Sequence, residues 1–458
     1  MVPENFRFGG GATETVLHPL VAVWMLIAIV LILSLRRDRI MIPFLLAFFS
    51  TPSQEVLVLA GVHFTMHQIL IFTVLARMTV YRGSSSDRRF QGGFNALDRV
   101  VVLWAFSSLL IFNIEFMDKQ AFIKSMGDFV LAMGGYLAVR FLVPDGDAVR
   151  RMIKVMAVIC LIQGVCMLTE LSTYQNLFFP LGGAWPTYRE GHVRAEGAMG
   201  TLYGGALAGA LIPLFVWLWM ERKSRTTAVA GLVGATAMVF ASHASTSAMA
   251  YGAGLLGLGF WPLRKYMRMV RLSIVAMLVG LHLVMNGPVW SLIEKIDITG
   301  GSSSYHRYQL VDNCIRHFSD WWLVGYKYYY AWGFCMFDLC NQFVGTAVAG
   351  GLVSLVLYIM IFSRSFGAIG KARKQVEGDR HQEWLLWCLG SFLFSVMVAA
   401  FGINYMFHLL MCFLLLVASI SVTAFEAIRS PARQAEKVFE PPLPVGTELS
   451  WDSLGSHQ

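Results

Sequence analysis

Residues 302–351 hold the densest chemistry in this chain. They read S-S-S-Y-H-R-Y-Q-L-V-D-N-C-I-R-H-F-S-D-W-W-L-V-G-Y-K and continue through D-L-C-N-Q-F-V-G into an apolar run. On a helical wheel begun at Tyr305, one face collects Leu310, Val311, Cys314, Ile315, Phe318, Trp321 and Trp322, with Arg307 in the middle of that stripe. Gln309, Asp312, Asn313, Arg316 and Asp320 face the other way. A guanidinium aimed at an apolar, membrane-facing surface is costly unless an anion meets it. Arg307 therefore reads as half of a site for a lipid-linked phosphate. Arg194 is its counterpart, in H-V-R-A-E-G-A-M-G-T-L-Y-G-G-A, where Gly197, Gly200, Gly204 and Gly205 let backbone approach an anionic headgroup. The plainer reading of either arginine is an interfacial side chain snorkelling to lipid phosphate. Arg189 and Arg316 are second choices. Tyr305, His306 and Asn341 join the binding candidates.

A base is needed wherever a sugar hydroxyl attacks. His192, His306 and His317 lie near these arginines in sequence, and an imidazole titrating near neutral pH can take such a proton. His317, at the edge of the apolar stripe, is the best placed of the three. Among the sparse outer carboxylates, Glu196 and Asp338 flank the glycine-rich turn and the later span. Each is a candidate base or the partner that neutralises an arginine. Ser242 to Ser247, S-H-A-S-T-S, offers hydroxyls to a sugar or pyrophosphate, or simply caps helices. The aromatic crowd from Trp321 to Trp332 fits an interfacial belt and sugar stacking equally. Cys335 and Cys340 are the pair that would form a bridge if any did. No His/Cys pair has zinc spacing, Asp145-Gly146-Asp147 falls in a short turn, and no G-x-x-x-x-G-K-[ST] run occurs.

The elements that carry these residues are membrane spans. The chain is 56% hydrophobic and only 14% charged, with mean hydropathy +0.59, far more apolar than a soluble domain. Apolar runs near 18–35, 40–59, 61–80, 99–116, 122–144, 150–170, 203–221, 226–243, 246–263, 269–286, 340–363, 384–402 and 405–426 predict about 13 transmembrane helices. With the amino terminus outside and the carboxyl terminus inside, few of the 36 Lys and Arg lie on the outer side. They are Arg7, Lys119, Lys124, Arg189, Arg194, Lys295, Arg307, Arg316 and Lys327, and the positive-inside rule is obeyed. The basic balance is thus a topology signal and not a nucleic-acid signal. Two long loops, about 172–201 and 287–339, fall outside. Residues 1–430 form one polytopic membrane domain, and 431–458, rich in proline and without apolar periodicity, read as a disordered cytoplasmic tail.

In these segments the chain resembles the Wzy-type O-antigen and exopolysaccharide polymerases and their relatives, the O-antigen ligases. The matching pieces come in family order: R-A-E-G-A-M-G, A-S-H-A-S-T-S, Y-H-R-Y…R-H-F-S-D-W-W-L-V-G, and D-L-C-N-Q-F-V-G-T-A-V-A-G-G-L. The resemblance covers about 180–365. It implies an all-α, GT-C-like polytopic protein of the bacterial inner membrane that polymerises undecaprenyl-pyrophosphate-linked oligosaccharides on the periplasmic side. It implies that Arg194 and Arg307 engage the pyrophosphate and that no cofactor is used. The implied partners are the lipid-linked oligosaccharide, membrane lipids and a chain-length-regulating co-polymerase, with no nucleic acid. The ligases carry a histidine beside an asparagine before the next span. This chain has Cys340-Asn341 there, which favours polymerase.

The chemistry expected is an inverting glycosyl transfer without metal. With few outer carboxylates to hold a cation, guanidiniums would grip the departing pyrophosphate. A ligase is the first alternative, using the same donor grip. A transporter of a lipid-linked solute is the second. It would need a path of charge deep within the spans, where Glu55 and Asp128 are the clearest candidates.

Overall fold

The computed structural model describes residues 15–439 apart from 60, 82–89, 91–92, 190 and 296–302. In order, the elements are α1 (Pro19–Ser34), α2 (Arg37–Ser50), a hairpin of β1 (Val56–Leu59) and β2 (Val62–Thr65), α3 (Met66–Val80) and α4 (Ala96–Phe116). Next, α5 (Lys119–Phe129) passes through a π-turn, Val130–Gly134, into α6 (Gly135–Leu142), and α7 (Gly146–Thr173) follows. A second hairpin, β3 (Thr187–Arg189) and β4 (His192–Arg194), precedes α8 (Thr201–Trp219), α9 (Arg225–Ser242), α10 (Ser245–Gly259) and α11 (Met267–Val284). The chain ends with α12 (Leu292–Lys295), α13 (Ser303–Arg316), α14 (Phe318–Trp321), α15 (Gln342–Gln375), α16 (Arg380–Ala399) and α17 (Phe407–Phe439).

Among the described residues, nine helical segments are long and apolar enough to cross a membrane: α4, α5–α6, α7, α8, α9, α11, α15, α16 and α17. The chain is a polytopic helical membrane protein. Not every apolar run becomes a full-length span. α1, α2, α3 and α10 have 16, 14, 15 and 15 residues, about 21–24 Å at 1.5 Å per residue, short of a hydrocarbon core of roughly 30 Å. The expected second and third spans differ most. Ser50, Thr51 and Pro52 end α2, and V-L-V-L then pairs antiparallel with V-H-F-T, Val56 opposite Thr65 and Leu59 opposite Val62. β-Branched, alternating residues favour that ladder over helix. Glu55, expected within a span, sits instead in the turn before β1, where its Oε2 accepts the His18 N–H at 2.9 Å.

α8 and the apolar part of α17 are buried along most of their length and form the centre of the bundle. α11 is the opposite case: none of its residues is buried. α17 continues as helix past residue 430, where the sequence reading begins the tail, and 440–458 lie outside the described residues. At the end of the bundle away from the long loops, Glu383 ties α16 to Arg264 (3.1 Å) and Arg373 (3.0 Å). At α4, Asp98 is buried with Arg140 (3.0 Å) and the Tyr136 hydroxyl (2.5 Å). A buried ion pair of this kind persists because each charge has its partners.

The second long loop is not simply a surface excursion. α15 breaks at Gly351, whose φ of 63° and ψ of −171° lie outside the helical region. The break releases the Val348 carbonyl and the Leu352 N–H, which would otherwise bond to each other. The loop after α14 replaces that bond with two: Leu352 N–H donates to Trp322 O (2.9 Å), and Tyr326 N–H donates to Val348 O (2.8 Å). Gly351 is required twice over, because a Cβ there would also lie 2.8 Å from Leu323 O. Nine residues into α15, this junction is about 14 Å below the start of the helix. Irregular backbone at such depth is tolerated where protein satisfies it. A further tie, Lys327 N–H to Glu115 Oε1 at 3.1 Å, holds the loop to the end of α4.

Candidate functional site

The site forms where the two long loops meet the corner between α9 and α10. From the first loop, the Ala195 N–H bonds to Ala241 O at the end of α9 (3.1 Å), and the His192 ring stacks on His243, with centroids 5.2 Å apart. From the second loop, α13 delivers Arg307. Its Nη2 donates to Thr246 Oγ1 at 3.1 Å, and Thr246 Oγ1 donates to Gly402 O at 3.1 Å. Arg307 is 7% exposed and Thr246 1%. The arginine therefore points into the bundle. The lipid-facing placement expected from the wheel is corrected, because the stripe divides. Leu310, Cys314 and Trp321 are buried with Arg307, while Ile315, Phe318 and Trp322 are exposed. Asp312, placed on the polar face, is itself buried, accepting from Trp290 Nε1 (3.0 Å) and Arg316 Nε (2.6 Å). The serine–threonine run does its work through Thr246, which sequence could not rank above its neighbours.

The segment R-A-E-G-A-M-G is a rigid turn. The Glu170 carboxylate accepts the N–H groups of Glu196 (2.8 Å) and Gly197 (3.0 Å), and Gln163 accepts that of Ala198 (3.2 Å). Glu196, 9% exposed, accepts the Thr201 N–H (2.8 Å) and the Thr187 hydroxyl (3.1 Å). It thereby caps α8, whose first N–H groups need such an acceptor. Arg194 ends β4 half-buried, opposite Thr187. Arg189, on the paired strand, is exposed.

Past α14 the chain returns to the same corner. The Cys340 thiol donates to Asp338 Oδ2 at 2.9 Å. Burial pushes this thiol up to about 12, the Asp338 carboxylate pushes the same way, and the guanidiniums of Arg307 and Arg189 pull against them. Those opposing influences put both cations, one from each loop, within electrostatic reach of one thiol–carboxylate pair. Arg189, a second choice by sequence, therefore joins Arg307 there. Tyr203, in the first turn of α8, lies within the same reach of Cys340, Asp338 and Glu196, and its hydroxyl donates to Met406 Sδ at 3.1 Å. Tyr203 carried no sequence signal beyond its place in T-L-Y-G-G. Cys335 and Cys340 are both free, so the bridge considered from sequence does not form. Cys335 Sγ instead accepts from Asn313 Nδ2 at 3.3 Å.

The remaining candidates lie apart from this cluster or hold structure. His317 is ten residues beyond Arg307, about 15 Å along the helix axis. Its Nδ1 bonds to Asn313 O (3.0 Å) and its ring stacks on Trp332, which also stacks on Tyr326. His306 bonds to Cys335 O at 2.7 Å. Tyr305 is exposed. Asn341 is the N-cap of α15, accepting from Phe343 N–H (2.9 Å) and Val344 N–H (3.1 Å). Among the described residues, no three His, Cys, Asp or Glu side chains come together as a metal-holding group. No protein-family model matches the chain, and no curated protein matches it in sequence.

Proposed function

We propose that this protein is a membrane glycosyltransferase that polymerises undecaprenyl-pyrophosphate-linked oligosaccharide repeat units at the periplasmic face of the bacterial inner membrane. The observation that carries the reading is Arg307, buried in the corner where the two long loops meet and within electrostatic reach, together with the exposed Arg189 of the other loop, of the Cys340 thiol that donates to Asp338. A guanidinium fixed in a desolvated corner, as Arg307 is, stabilises charge that develops on a departing pyrophosphate far better than a mobile one in water. Arg194, on the same hairpin as Arg189, completes the donor grip.

Of the three candidate bases, Asp338 suits the chemistry best. It is exposed to an incoming hydroxyl, whereas both Glu196 oxygens are engaged and His317 stands a helix-length away. The acceptor hydroxyl passes its proton to Asp338, its oxygen attacks the anomeric carbon, and the pyrophosphate leaves from the opposite face with inversion. The Cys340 thiol, held neutral, orients the carboxylate without competing for the sugar. A co-polymerase that limits chain length is a partner this reading accommodates. The test is to supply purified protein with a lipid-linked repeat unit as sole substrate. A ladder of lipid-linked multiples supports polymerisation. Product appearing only when a different acceptor is added would identify a ligase instead.

A further inference from the structure

The turn at 400–407 has two faces. On one, Gly402 packs against Thr246 and Arg307, and Met406 meets Tyr203. On the other, Asn404 to Phe407 wall a cavity of about 260 Å³, a little below the usual size of ligand pockets, which run on the order of 300–1,000 Å³. Its remaining walls are α4, α5 with the π-turn, and the first two turns of α15. Along α4 the lining runs from Phe112 to Trp104, about 6–18 Å below the helix end at Phe116. The cavity thus lies toward the end of α4 nearest the long loops. Its lining is mostly apolar. At its mouth Lys124 Nζ meets Asp128 Oδ2 at 2.8 Å, both side chains exposed, with the ammonium 5.2 Å from the centre of the Phe112 ring.

Joining two lipid-linked glycans requires two lipids bound at once, with unequal demands. The donor loses its pyrophosphate: the bond from anomeric carbon to phosphate oxygen breaks with its electron pair. The acceptor hydroxyl forms the new bond and yields its proton to Asp338, and the acceptor's own pyrophosphate link is untouched. The donor needs charge stabilisation, which the buried Arg307 corner supplies. The acceptor needs only anchoring, which suits a single exposed lysine over an apolar cavity. We infer that this cavity takes the first isoprene units of the acceptor's lipid, those next to its pyrophosphate, with Lys124 released from Asp128 to meet that pyrophosphate. The inference rests on the glycosyl-transfer reading and places its second substrate across one turn from the first.

The experiment uses full-length protein in lipid discs and a polyprenyl-pyrophosphate-linked repeat unit carrying a benzophenone on its isoprenoid chain. Labelled peptides are mapped in wild type, Ala132→Phe, Ala349→Phe, Lys124→Ala and Arg307→Ala. Two filling variants are included in case one does not fold, and each is checked for monodispersity and melting temperature. The expected label lies on the α4 segment between Trp104 and Phe112. It falls by about tenfold or more in either filling variant, persists in Arg307→Ala, and is displaced by polyprenyl phosphate but not by phosphatidylglycerol. Label spread over lipid-facing helices and indifferent to filling would overturn the site, as would equal displacement by phosphatidylglycerol. A ladder made by a folded filling variant with unchanged acceptor KM would remove the acceptor role while leaving the transfer reading intact. Cavity labelling by a wild-type protein that makes no ladder would remove the transfer reading, and the acceptor role with it.

Discussion

Substituting Gly402 tests whether Arg307 is held in place by the turn beside it. A Cβ at 402 would lie 2.6 Å from Thr246 Oγ1 and 3.3 Å from Arg307 Nε. Ordinary contact begins near 3.4 Å, so the hydroxyl must retreat by about 0.8 Å, away from the guanidinium. The Thr246–Arg307 bond, now 3.1 Å, would stretch beyond hydrogen-bond range. Overpacking of this kind costs about 1–3 kcal/mol of stability, and a shift near 1 Å in a positioning group costs on the order of 10²-fold in rate. The expected outcome for Gly402→Ala is therefore a kcat about 10²-fold lower, with the protein still folded. Chain extension is assayed in lipid discs by gel, alongside a double-mutant cycle with Thr246→Ala. Removing the hydroxyl first makes room for the new methyl, so the double variant should lose little more than the worse single one. Full-rate extension by Gly402→Ala, or losses that simply multiply in the double variant, would refute the mechanical link.

Other predictions concern the same corner and the loop that forms it. The Cys340 thiol stays protonated through the usual range, so its alkylation rate should rise about tenfold per pH unit from 7 to 10 with no plateau, because the thiolate is the nucleophile. A plateau near 8.5–9 would show a thiol unaffected by burial and Asp338. Asp338→Asn removes an influence that raises this thiol, so it should speed alkylation while abolishing chain extension. Faster alkylation with normal extension would leave the base unassigned. Gly351→Ala combines a left-handed backbone with a clash against Leu323 O, and should cost roughly 1–3 kcal/mol, read as a lower melting temperature and easier proteolysis between Trp322 and Lys327. Asp98→Asn removes the carboxylate that meets Arg140 at 3.0 Å and the Tyr136 hydroxyl and should destabilise by about 3–5 kcal/mol, measured by thermal unfolding. Retention of wild-type stability would mean that Asp98 is not what holds the Arg140 charge in the bundle.

What sequence can show here divides by the range of the interaction. Long apolar runs announce spans because a helix in hydrocarbon must be apolar for its whole length, and the two long loops follow as the gaps between α7 and α8 and between α11 and α15. The hairpin at Val56–Thr65 is hidden in the sequence because V-L-V-L and V-H-F-T are as apolar as the spans around them. Only the stop at Ser50–Pro52 marks the boundary. Arg307 stands out by residue type against its neighbours, but its direction does not show in the sequence. That is set by Thr246 and Gly402, which are 61 and 95 positions away in the chain. Arg189 and Tyr203 gained their place only when a hairpin and a helix start were folded against Cys340. Asn341 had an ordinary explanation as a helix cap that its sequence setting already permits. The re-entrant junction rests on backbone bonds between Trp322, Tyr326 and the broken turn of α15, which no side-chain pattern records apart from the glycine pair 350–351.

The most direct measurement is the turnover of Arg307→Ala against wild type, with a lipid-linked repeat unit as the only substrate and melting temperature recorded for both. Removing one donor to a developing anion costs on the order of 10²–10³-fold in kcat. The account predicts a ladder from wild type that slows by that factor in the variant, with the fold intact and a partial rescue by Arg307→Lys. A ladder at the wild-type rate from folded Arg307→Ala would contradict the placement of this arginine at the departing pyrophosphate.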